Sequence, residues 1–292
     1  MAVHPSLSLA EEGFLVLSRR DPLSKRLAQF PWWFLTMILI ALWTAYAIYS
    51  RDNYREAFER IIIGLGVTAV TSLVAYGIAL VLGLVAGLGR ISHSVVFNNA
   101  ATLYVELIRG IPMLVLIFFI ALVGVPTVVE WINALGVWLD RLGWRQAGQI
   151  LGGIQNQAIP MNVRAIIALA VTYGAFLAEI FRAGIQSIGR GQMEAARSLG
   201  MTYGQAMRYV ILPQAIRNVL PALGNDFVAM VKDSSLVSVL AVRDITQVAR
   251  LYAGSTFRFR EAYVTLSVLY LTMTVALSLL VQLLERHLRR DG

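Results

Sequence analysis

The sequence predicts an all-α polytopic membrane protein, on two observations. Hydrophobic residues fill 58% of the 292 positions and charged residues only 14%, whereas a soluble domain carries about a quarter charged residues. The mean hydropathy is +0.67. The apolar residues also gather into six runs, about 31–50, 61–89, 100–124, 163–187, 221–242 and 262–284. Each approaches the ~20 residues that cross a bilayer as a helix with every backbone group paired internally.

In chain order, residues 1–30 mix Glu11, Glu12 and Asp21 with Arg19, Arg20, Lys25 and Arg26. A cleaved signal peptide has no such acidic preface, so this stretch is read as a cytoplasmic N-terminal segment. The run 31–50 has Trp32, Trp33, Tyr46 and Tyr49 at its two ends, placed like interfacial belts, and reads as a transmembrane anchor. The second run carries no charge from Ile61 to Gly89, and its Ala79, Gly83 and Gly87 repeat at four-residue spacing. That spacing offers a face for close helix approach, although glycine is common in membrane helices generally.

The third run ends at a long polar-aromatic stretch, 125–160. Pro126, Trp131, Trp138 and Trp144 alternate there with Leu135, Val137 and Leu142, which predicts an amphipathic helix at the membrane interface, followed by a turn over Gly152–Asn156. Its role stays open between contact with a soluble receptor and cover for the lipid surface. The fifth run is interrupted by Asp226, Lys232 and Asp233, so it needs shielding by neighbours or water.

Arginine and lysine set the orientation. With the N-terminus inside, the cytoplasmic segments hold Arg19, Arg20, Lys25, Arg26, Arg90, Arg190, Arg197, Arg208, Arg217, Arg286, Arg289 and Arg290, against nine arginines outside. The bias is modest. Six spans leave both termini cytoplasmic. The net charge of +8 forms no basic stripe with interleaved aromatics. Anionic lipid therefore explains it better than nucleic acid.

No enzyme constellation is present. His4, His93 and His287 stand apart, cysteine is absent, and the only lysines are Lys25 and Lys232. No phosphate-binding Gly-x-x-x-x-Gly-Lys-Ser/Thr motif is possible with them. The sequence calls for no catalytic residue, metal or cofactor.

Between the fourth and fifth runs lies Gly189-Arg-Gly-Gln-Met-Glu-Ala-Ala-Arg-Ser-Leu-Gly200, with Val210-Ile-Leu-Pro213 beyond it. The pattern predicts two short helices broken at Gly200, in left-handed conformation. Thr202 and Gln205 form a capping box that starts the second helix, and Pro213 limits it downstream. Glu194, in the first turn, is favoured by the helix dipole.

This segment resembles the "EAA" loop of the membrane-spanning subunits of bacterial ATP-binding cassette importers. Glu194, Ala195, Ala196, Gly200, Leu212 and Pro213 fall at the family's spacing, with Val210 in place of isoleucine. Tyr104–Pro112, Ala178–Gly184 and Asn225–Ser238 resemble the polar amino acid uptake branch. The resemblance covers roughly residues 60–285. It implies a permease domain over 61–285, with a coupling loop at 187–220 and an insertion at 125–160, while the 31–50 anchor is an addition. It implies as partners two cytoplasmic ATPase subunits, a second permease subunit of the same or similar chain, and an external amino-acid-binding protein, in the bacterial plasma membrane. On that reading the element Met193–Leu199 and Thr202–Val210 seats in a cleft of the ATPase, and the six motif residues are its ATPase-coupling residues.

Two further sets follow from placement. Glu106 with Arg109 and Glu179 with Arg182 are three apart on a helix face, close enough to pair. They brace an inner gate or, alternatively, touch substrate. Lys232, Asp233, Ser234 and Ser235, with Thr172 and Tyr173 of the fourth run, lie near mid-span. They either line a pathway for a zwitterionic amino acid, or neutralise one another and pack. The rival reading is a secondary transporter driven by an ion gradient. It would need broken midplane helices in inverted repeats, which the sequence lacks. A membrane-embedded enzyme or signalling module would need clustered acid/base or metal-ligand residues, also lacking.

Overall fold

A computed structural model describes residues 32–290, with side chains followed as far as Arg286. The cytoplasmic segment expected at 1–30 lies outside the described residues. Regular structure among the described residues is helical throughout. The chain divides at Tyr46/Ala47 into two compact units.

Helix α1 (Trp32–Ser50), which supplies the described part of the first unit up to Tyr46, is apolar on every side. Thr36 and Thr44 turn their hydroxyls back onto the Trp32 and Ile40 carbonyls, at 2.9 and 2.8 Å. That satisfies polar groups that hydrocarbon would leave unpaired.

The second unit opens with the amphipathic α2 (Asp52–Ile61), which buries Tyr54, Ala57 and Ile61. It passes through a tight turn at Ile62–Gly64 into α3 (Leu65–Arg90). A side chain at Gly64 would meet the Ile245 backbone nitrogen at 2.6 Å. The expected third span is not one helix. Pro112 has no N–H and pushes Ile111 into extended conformation (φ −110°, ψ 138°), so α4 (Val95–Gly110) ends there and α5 (Met113–Phe119) starts anew. A π turn at Ile120–Gly124 then leads without interruption into α6 (Val125–Arg141). The third span and the start of the 125–160 stretch are therefore one rod, with Trp131, Leu135 and Trp138 exposed along α6.

Helix α7 (Arg145–Gly152) folds back on α6, closely enough that a side chain at Gly148 would strike the Asp140 backbone. The buried Arg164 donates to the carbonyls of Ala121, Ile159 and Asn156 and fixes the root of this hairpin. It belongs to α8 (Met161–Gln186), the most buried of the membrane-length stretches among the described residues.

Helices α3 and α8 pack in parallel along small residues. A Cβ on Gly83 would lie 2.6 Å from Leu177 Cβ, and one on Gly87 would lie 2.9 Å from the Ala178 carbonyl. The Ala79–Gly83–Gly87 face thus serves the close approach its spacing predicts. After the loop come α9 (Arg190–Ser198) and α10 (Tyr203–Ala206), then α11 (Leu212–Asp233). Helix α11 starts nine residues before the expected fifth span and contains Pro221. It gives way at Ser234 to a 3₁₀ turn that ends at Ala241 with φ 56°. It runs antiparallel to α8, with Val219 beside Gly184 and Asp233 beside Tyr173. Helices α12 (Ile245–Thr256) and α13 (Phe259–Arg290) complete the unit.

The stretches Asp52–Arg90, Met113–Arg141, Met161–Gln186 and Phe259–Arg286 are long and apolar enough to cross a membrane. With the shorter α1 and the polar α11, each of the six expected spans has a helix. One core joins α3, α5, α8, α11 and the 3₁₀ turn. Another joins α2, α12 and α13 at the end opposite the α9–α10 loop.

Candidate functional site: the α9–α10 loop, a charge cluster and the polar core

The α9–α10 loop is built from local chemistry. Gly200 has φ +85°. The Met201 N–H donates to the Ala196 carbonyl and the Gly200 N–H to the Arg197 carbonyl, at 3.2 and 3.0 Å, which is the paired Schellman closure that ends a helix. Two residues on, Thr202 and Gln205 make both halves of the capping box, 2.9 and 3.3 Å. Pro213 does not end the second helix as expected. A π turn at Met207–Ile211 carries it into α11, and Pro213 sits in the first turn there, where a missing N–H costs little.

The loop has two faces. Met193 packs toward Ile185, Ile211 and Ala215, together with Val210 and Leu212. Ala196 is 4% exposed. Glu194 and Ala195 point away from the chain, and Leu199 is 81% exposed. The two alanines are therefore separated: Ala196 faces its own chain, and Ala195 faces outward.

Beside the loop, charges join three helices rather than pairing within one. Glu179 accepts from Arg182 (2.8 Å) and from Arg90, with Arg109 at 3.5 Å. The Glu179–Arg182 pair is as expected. Glu106 instead meets Arg90 at 3.2 Å, and Arg109 reaches across to Glu179 and lies 6.0 Å over the Phe176 ring. The interhelical geometry wins because α3 and α4 both converge on α8. Sequence reasoning left Arg90 out of this set. Its signal was its position as the first charge after an uncharged run.

Toward the middle of the bundle, the Tyr173 hydroxyl donates to Asp233 Oδ2 at 2.7 Å. Two turns earlier on α11, one oxygen of Asp226 is buried and has no hydrogen-bond partner among the described residues. The Tyr76 hydroxyl donates to the Leu223 carbonyl at 2.5 Å, and its ring lies 5.0 Å from Phe227. Thr172 is fully buried, with its hydroxyl likewise unpartnered. Ser234 bonds back to the Val231 carbonyl at 2.7 Å, and Ser235 is partly buried. Lys232 is exposed and forms no ion pair with Asp233 among the described residues. Tyr173 and Asp233 are thus brought together, and Lys232 is turned away. Asp226 and Tyr76 join the same polar set. The sequence marked Asp226 only as an interruption, and Tyr76 carried no signal in an apolar run.

A family described as "binding-protein-dependent transport system inner membrane component" matches residues 79–290. Among curated proteins, the probable glutamine ABC transporter permease protein GlnM of Bacillus subtilis (strain 168) is 38% identical over 236 residues, covering 81% of this chain and 96% of that one. The glutamine transport system permease protein GlnP of Escherichia coli (strain K12) is 31% identical over 233 residues, covering 80% and 94%. Among solved structures, one described as an amino acid ABC transporter with histidines superposes with a TM-score of 0.64 at 37% identity, covering 82% of this chain and 98% of that one. An inward-facing MetNI methionine ABC transporter, at 19% identity and a TM-score of 0.57, shares the fold.

Proposed function

We propose, for a chain that belongs to the family of binding-protein-dependent transport system inner membrane components, the passage of a polar amino acid through the polar core and its drive through the α9–α10 loop. The chain is a permease subunit of an ATP-binding cassette importer, and partner ATPases perform the hydrolysis. The family match leaves an ion-gradient-driven mechanism without support.

The assembly we infer pairs this chain with a second permease subunit, the same or similar. Two cytoplasmic ATPase subunits dock from inside, and a binding protein delivers the amino acid from outside. Both termini are then cytoplasmic, Trp138 is external, and residues 187–220 face the ATPase. One observation carries the coupling role. The short helix is stopped by Gly200, boxed at Thr202 and anchored by Met193, and it presents Glu194, Ala195 and Leu199 outward. A knob held at both ends transmits displacement instead of absorbing it. ATP binding does work on the bundle only as far as the ATP-bound dimer prefers one bundle arrangement over the other. The Glu179 cluster ties α3, α4 and α8 beside the knob and, on this reading, makes them move as one.

For the substrate, Asp233 is the fixed anion that meets an ammonium group, with Tyr173 holding its carboxylate and Asp226 adding charge. Asp233→Asn keeps size and removes charge. It should cut transport while leaving membrane insertion and basal hydrolysis unchanged. Because Lys232 does not pair with Asp233, adding Lys232→Met should restore nothing. If the double variant regained transport, Asp233 would be a structural partner of Lys232 and not a substrate contact. Impermeant thiol labelling of single cysteines in this cysteine-free chain tests the orientation. Position 138 should react from outside and position 197 should not; the reverse pattern would invert the topology.

A further inference from the structure

At the end of the bundle opposite the α9–α10 loop, a cavity of about 690 Å³ opens between α2, the start of α3 and α12. Two guanidinium groups line it, from Arg60 in the last turn of α2 and Arg243 just before α12. Neither makes an ion pair among the described residues. The one carboxylate in the lining, Glu56, is already held by Arg258 at 2.6 Å. The lining thus carries a net positive charge, with both Arg60 and Arg243 unpaired among the described residues.

The remaining wall decides what kind of anion fits. Ile63, Val67 and Leu251 line the cavity. Ile63 is 71% exposed and starts an apolar strip down the outside of α3 that continues through the exposed Val70 and Val74. That strip lies on a helix apolar enough to cross the membrane, and its exposed aliphatic side chains suit acyl chains. Tyr252, Ser255 and Thr256 complete the lining, the last two donating their hydroxyls to the Tyr252 carbonyl. A cationic mouth above an apolar track matches an amphiphile with a negative head. A small hydrophilic anion would leave the track uncovered.

We infer that Arg60 and Arg243 bind the phosphate headgroup of an anionic phospholipid, whose chain lies along Ile63, Val67 and Val70. A lipid seated there would join α2 and α12 over the Ala57–Ile61–Ile245–Ala249 core.

Native mass spectrometry of the full chain, titrated with phosphatidylglycerol or phosphatidylcholine, tests this. Phosphatidylglycerol should be retained preferentially. Arg60→Gln or Arg243→Gln alone should weaken it about fivefold, and both together about thirtyfold, at roughly one screened arginine contact each. Phosphatidylcholine binding should not change. Arg60→Lys with Arg243→Lys keeps the charge and should retain most of the preference, which separates lost recognition from lost folding. Arg250→Gln, an exposed arginine of α12 outside the lining, should have no effect. Equal retention of phosphatidylglycerol by wild type and the double glutamine variant would overturn the proposal. Displacement of the lipid by glycerol 3-phosphate at matched concentration would also overturn it, because the site would then read free phosphate and ignore the apolar track.

Discussion

The α9–α10 loop and the α3–α8 seam both depend on glycine, for opposite reasons. Gly200 is needed for its backbone, since its φ is +85° and nothing lies within 4 Å of where a Cβ would stand. Gly83 and Gly87 are helical, and a Cβ on either would press into α8. The first requirement is conformational and belongs to one residue. The second is steric and belongs to two helices, so it exists only once the bundle is assembled. Conformational strain in the loop should therefore leave the bundle intact, whereas steric strain in the seam should open it.

Substituting each class tests that distinction, and the seam should respond most. Gly83→Val drives two methyls into Leu177 and the Gly174 carbonyl, and overpacking of this kind costs about 3 kcal/mol. The thermal midpoint in detergent should fall sharply, and an unchanged midpoint would mean that α3 and α8 do not meet in this register.

Next is the brace. Glu179→Gln removes the counter-charge shared by Arg90 and Arg182, a loss of about 2 kcal/mol for a largely buried pair. Glu106→Gln removes an exposed partner and should cost at most about 0.5 kcal/mol. Equal losses in denaturant titration would show that Glu179 is not the centre of the cluster.

The loop should respond least in stability. Gly200→Ala has room but the wrong φ, at about 1 kcal/mol. Gly200→Asn should cost less, because asparagine tolerates the left-handed region. At Gly83 the order should reverse, with alanine better tolerated than asparagine because only size matters. The same order at both sites would collapse the distinction. Thr202→Ala, which removes half of the capping box, should cost about 1 kcal/mol or less and show chiefly as faster proteolysis within 200–212.

How much of this was legible in the sequence follows the same division. The Gly200 turn and the Thr202–Gln205 box were legible because each is closed by residues within five positions. The Ala79–Gly83–Gly87 face was legible as a face, although its partner on α8 was not. What failed depended on geometry between helices. Glu106 was expected to pair with Arg109 three residues away, but the convergence of α4 and α3 gives it Arg90. Pro213 was expected to stop a helix, and the π turn before it accommodates the lost N–H. The third span and the 125–160 stretch read as separate elements because Pro126 stands at their junction and tryptophans recur from Trp131 onward, while the backbone passes from Met113 to Arg141 as one rod. Asp233 and Tyr173 were marked in one mid-span set, but the bond that joins them across 60 positions, and the turn of Lys232 away from Asp233, were not legible.

The coupling role is the central claim, and a pair of neighbouring alanines tests it most directly. Ala195→Arg places a long cation on the outward face of α9, where a surface change alters stability by no more than about 0.5 kcal/mol. Ala196→Arg forces the same group into a site only 4% exposed and should destabilise the loop itself. The measurement is receptor-stimulated ATP hydrolysis by the reconstituted assembly, alongside the permease's thermal midpoint. The account predicts that Ala195→Arg keeps the wild-type midpoint and loses stimulated hydrolysis, whereas Ala196→Arg loses both. Wild-type hydrolysis with Ala195→Arg in a normally folded permease would contradict it, because the outward face of α9 would then not be where the ATPase is engaged.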